Sequence, residues 1–61
     1  MTRREFVEAL QKEGKDKEAI LQALIKGDAK KGVNPIKGES VAEKMVFAKL
    51  IYGRVLKQIQ A

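Results

Sequence analysis

The chain has 61 residues, 44% of them hydrophobic, a net charge of +5, and neither Cys nor His. That length supports a single small helical domain, residues 1–61, near the size at which one core leaves only marginal stability. The missing residue types exclude disulfides, thiolate metal sites, the commonest metal ligand and the usual general base. No cofactor, metal or small-molecule substrate is therefore expected, and the chain does not read as an enzyme. Among the devices that stabilise small domains, oligomerisation is what remains. The N-terminus runs straight into Arg3, Arg4 and Glu5 without an apolar leader, and no apolar run approaches the ~20 residues of a membrane span. The expected location is the cytoplasm, with no membrane partner.

Helix 1 is expected over about 3–13. Thr2 and Glu5 have the spacing of a capping box, in which each side chain accepts from the other residue's backbone N–H. Phe6 and Leu10 stack one turn apart, and Gly14 suits the left-handed position that ends a helix. Asp16 then caps helix 2, expected over about 17–26. Glu18 favours its dipole, and Gly27 stops it. Ala19, Ile20, Leu21, Ala23, Leu24 and Ile25 leave helix 2 only a narrow polar strip, which marks it as the central helix.

Residues 27–39 contain Gly27, Gly32, Gly38 and the sole proline, Pro35. They read as a long flexible loop, since Pro35 pushes Asn34 toward extended backbone. Val33 and Ile36 are the residues expected to pin it. Ser40 and Glu43 form a second capping-box pair, opening helix 3 over about 41–60. Along that helix Val41, Met45, Ala48, Tyr52, Val55 and Ile59 alternate at spacings of four and three, the seam of a helix that packs on another. Val46, Phe47 and Leu50 project to the opposite side, at about 100° per residue. Helix 3 thus carries more apolar surface than a short hairpin can cover, which predicts an all-α fold associating as a helical homodimer. The partner-facing set on this reading is Met45, Val46, Phe47, Leu50, Tyr52, Val55 and Ile59. The spacing alone does not choose between seam and patch. Gly53 weakens the helix, and also permits close approach of another helix.

Charge is unevenly placed. Residues 1–28 balance six basic against six acidic side chains, so the whole excess lies in 29–61, where seven Lys and Arg face only Glu39 and Glu43. Such asymmetry attracts nucleic acid or an acidic surface. The candidate phosphate-contacting residues are Lys30, Lys31 and Lys37 in the loop and Lys49, Arg54 and Lys57 on helix 3, against the plainer reading of solvated lysines. Gly14 and Ile20 have the spacing of a helix-turn-helix. Leu10 stands where that motif takes a small residue, Lys15 where it takes an apolar one, and helix 2 lacks a polar face to read bases, so a plain αα-hairpin fits better. Gly32, Lys37 and Ser40 lack the contiguous Gly-Lys-Ser/Thr of a nucleotide-binding loop, and Glu39 brings the wrong charge. The leading expectation is a dimeric, DNA-associated regulatory protein acting in transcription regulation. Its competitor is a protein-interaction module that modulates a larger partner through helix 3.

Overall fold

In the computed structural model, which describes residues 1–60, the chain forms three α-helices: α1 (Arg3–Lys12), α2 (Lys17–Lys26) and α3 (Val41–Gln60). The boundaries follow the caps. The Thr2 hydroxyl accepts from the Glu5 N–H at 3.1 Å, and the Glu5 carboxylate accepts from the Thr2 N–H at 2.9 Å. At the other end of α1, Lys15 N–H donates to Leu10 C=O and Gly14 N–H to Gln11 C=O, with Gly14 at φ 81°. This double closure is the Schellman ending that the left-handed glycine permits. Asp16 Oδ1 accepts from Ala19 N–H at 2.9 Å to start α2.

The segment after α2 is built rather than loose, which corrects the expectation of a flexible loop. Asp28 and Val33 exchange both backbone hydrogen bonds, at 2.8 and 2.9 Å. Between them Ala29–Lys31 makes a 3₁₀ turn, and Asp28 Oδ1 accepts from the N–H groups of Lys30 and Lys31. Ile36 N–H then donates to Ile25 C=O, which ties the segment to the end of α2. Val33 and Ile36, the residues expected to pin the segment, are buried. The Ser40–Glu43 cap is only half a box. Ser40 Oγ accepts from Glu43 N–H, but the Glu43 carboxylate accepts from Glu39 N–H and not from Ser40.

The core gathers Phe6 and Val7 of α1, Ile20, Leu21 and Leu24 of α2, Val33 and Ile36, and Ala48 and Val55 of α3. Ile20, Leu21 and Leu24 are at most 1% exposed; burying each gains about 1.5–3 kcal/mol. Each helix packs against both others, and α2, with its narrow polar strip, gives the core three side chains that are almost wholly buried. The described residues span 31 × 24 × 18 Å, and the longest dimension matches a helix of α3's 20 residues at about 1.5 Å per residue.

The candidate interaction surface and its cations

The two apolar faces of α3 have different fates. Val55 is buried, and Met45, Tyr52 and Ile59 are half-buried against the same core around Ala48. The chain's own hairpin therefore covers most of the seam, and only Val41, in the first turn, lies exposed. Val46, Phe47 and Leu50 are left outside, 58%, 43% and 54% exposed. Three large apolar side chains on successive turns of one helix make a patch rather than scattered surface residues.

Beside Phe47 the surface dips into a groove of about 340 Å³, lined by Arg3, Asn34, Pro35, Ile36, Lys37, Phe47 and Ile51. Phe47 and Ile51 are one turn apart on α3 and form one wall. The 34–37 segment forms the other, held in place by the Ile36–Ile25 hydrogen bond. Arg3, at the start of α1, brings a second cation beside Lys37. No acidic side chain lines the groove. Sequence reading selects Lys37 and Phe47 but misses Arg3, Asn34, Pro35, Ile36 and Ile51 as groove residues. Only the folding of α1 and the 34–37 segment onto α3 brings them together, and no local pattern signals that.

Among the described residues Arg4 is the one cation in an ion pair, with its Nε 3.0 Å from Glu8 Oε1. Lys30, Lys31, Lys37, Lys49, Arg54 and Lys57 are exposed. Lys31 Nζ sits 5.7 Å from the Phe6 ring centroid, within the range of a cation–π contact. On the helical wheel Arg54 follows Phe47 and Ile51 along the groove edge, whereas Lys57 falls in line with Val46 and Leu50 and Lys49 lies to their side. The six cations therefore do not form one stripe. The Glu5 carboxyl is held below the usual glutamate range, first by the Thr2 backbone N–H and then by the Thr2 hydroxyl. That shift belongs to a helix cap, not to a reactive centre.

No group of three or more His, Cys, Asp or Glu among the described residues is arranged to hold a metal ion. No helix among them is long and apolar enough to cross a membrane. Comparison with protein-family models, curated proteins and solved structures finds no match.

Proposed function

We propose that this protein is a small non-enzymatic regulator that works as a homodimer and binds a segment of a larger protein in the groove between α3 and residues 34–37. The observation that carries this reading is the apolar lining of Ile36, Phe47 and Ile51, joined by Arg3 and Lys37 and with no acidic side chain in the groove. Apolar surface beside charged groups is the usual anatomy of a recognition surface. Its charge selects a segment with apolar anchors and Asp or Glu beside them, because opposite charge steers encounter and fixes register.

Selection from a random peptide library tests it. Peptides retained by the wild-type chain are expected to combine aliphatic or aromatic anchors with acidic residues. Their affinity should drop about tenfold or more in the Arg3→Gln/Lys37→Gln double variant and vanish in Phe47→Asp. Equal retention by all three proteins would overturn the reading.

The exposure of Lys30, Lys31, Lys37, Lys49, Arg54 and Lys57, none of them in an ion pair among the described residues, favours a second reading. In it the chain is a DNA-associated regulator of transcription that contacts phosphates without reading bases.

A further inference from the structure

The outward side of α3 holds a second repeat that the chain itself leaves unused. Glu43, Val46, Leu50, Gly53 and Lys57 follow one another at spacings of three and four. At about 100° per residue, the last four fall within about 60° of one another, opposite the buried Ala48 and Val55. Gly53 has no role inside the monomer. A glycine in a helix interior weakens it relative to alanine, yet a Cβ at Gly53 would meet no atom of the chain within 4 Å. A helix gains from such a bare position when another helix must come close.

The residues around Leu50 specify which helix that is. Glu43 lies seven residues before Leu50 and Lys57 seven after; Phe47 lies three before and Gly53 three after; Val46 lies four before and Arg54 four after. A two-fold axis beside Leu50, perpendicular to α3, brings Glu43 opposite the partner's Lys57. It sets each side of the outward stripe against the same side of the partner's, so that Val46 lies against the partner's Gly53 and the Phe47 ring against the aliphatic stem of the partner's Arg54. Glu43 meets its opposite charge, and the bare backbone of Gly53 lets the partner's Val46 come close. A parallel pairing would instead stack Glu43 on Glu43 and Lys57 on Lys57, and would align the two helix dipoles unfavourably.

We propose that two copies of the chain pair through the outward faces of α3, antiparallel, about a two-fold axis beside Leu50. This rests on the homodimer reading above and gives it a surface and an orientation. It uses neither cation of the groove. The pairing is self-complementary, so it closes at two copies.

Sedimentation equilibrium over a concentration series reaching ~100 μM should show a monomer–dimer equilibrium; a monomer throughout would overturn the proposal. Orientation is read by disulfide trapping, which the absence of native Cys makes clean. When Phe47→Cys and Arg54→Cys chains are mixed under oxidation, the cross-linked product should join position 47 to position 54. Products joining each position only to itself would show a parallel pair and overturn it, because a disulfide needs Cα atoms within about 7 Å. Gly53→Gln has open space in the monomer, so its helical circular dichroism should be retained or increased while dimer dissociation strengthens about tenfold or more. An unchanged dimer constant in a folded Gly53→Gln variant counts against the proposal. Failure here is separable from failure of the groove: the Gly53→Gln monomer keeps Arg3 and Lys37, and still retains acidic peptides if the groove reading alone is right.

Discussion

Gly14 and Gly27 both take a positive φ, 81° and 68°, but their surroundings differ. A Cβ on Gly14 meets nothing within 4 Å, whereas one on Gly27 would lie 2.5 Å from Pro35 N and 2.7 Å from Val33 O. The first position needs glycine for its backbone conformation alone. The second needs it also because the 33–35 segment crosses directly over it. Gly14→Ala should therefore cost about 1–2 kcal/mol from the left-handed conformation. Gly27→Ala should cost more, above about 3 kcal/mol, because backbone must also shift. Urea unfolding of the two variants checks the order, and an equal loss would show that the crossing segment yields freely. Gly27 thus bears on the shape of the groove as well as on stability, since the segment it admits supplies Pro35, Ile36 and Lys37 to the groove.

At the scale of the element, the caps do most to place helix ends, and one of them titrates. Glu5 has its folded pKa lowered by the Thr2 backbone N–H and then the Thr2 hydroxyl. A carboxyl lowered on folding contributes stability above its unfolded pKa, and that contribution is lost as pH falls through the lowered folded value. Glu5→Gln should therefore melt below the wild type near neutral pH, and the gap in Tm should narrow as pH drops below about 4. A gap that stays constant with pH would mean that the carboxylate charge contributes nothing to the cap. α3 shows a different kind of element-scale fact. Its sequence has two repeats, and they are told apart only by what the rest of the chain covers. Ala48 and Val55 are within the core, while Val46 and Leu50 remain more than half exposed. The inner repeat positions α3 on the hairpin; the outer one is left exposed by the chain itself.

Taken as a whole, the molecule spreads its positive charge around the apolar patch of α3 instead of gathering it on a face of its own. Lys30 and Lys31 sit on the pinned 3₁₀ turn, Lys37 on the groove, and Lys49, Arg54 and Lys57 along α3. If the nucleic-acid reading holds, generic duplex should be retained at ~50 mM salt, with log affinity falling steeply against log salt. Replacing Lys30, Lys31 and Lys37 together by Gln should then reduce that slope by about 2–3, roughly one unit for each phosphate no longer neutralised. No retention at that salt would leave the protein-binding reading without this competitor. Pairing through α3 would also concentrate charge, since each copy brings its own +5.

Much of this architecture is legible in the sequence because its causes are local. Thr2 with Glu5, Asp16 before α2, and the glycines at 14 and 27 fix helix ends within a few residues of themselves. The apolar run from Ala19 to Ile25 marks the central helix for the same reason. The 27–39 segment is less legible: its glycines and proline forbid a helix, but its order depends on Asp28 pairing with Val33 and on Ile36 reaching back to Ile25. The groove is not legible beyond Lys37 and Phe47, because Arg3 and Ile51 stand far apart in the chain and meet only through packing. By itself, then, the sequence determined the three helices, the central place of α2 and an excess of apolar surface on α3, since periodicity and capping act over a turn or two. Only the tertiary structure decided that the seam faces inward and that Val46, Phe47 and Leu50 face outward. That choice depends on which side of α3 the hairpin and the 33–36 segment occupy, and no single stretch of sequence contains that packing.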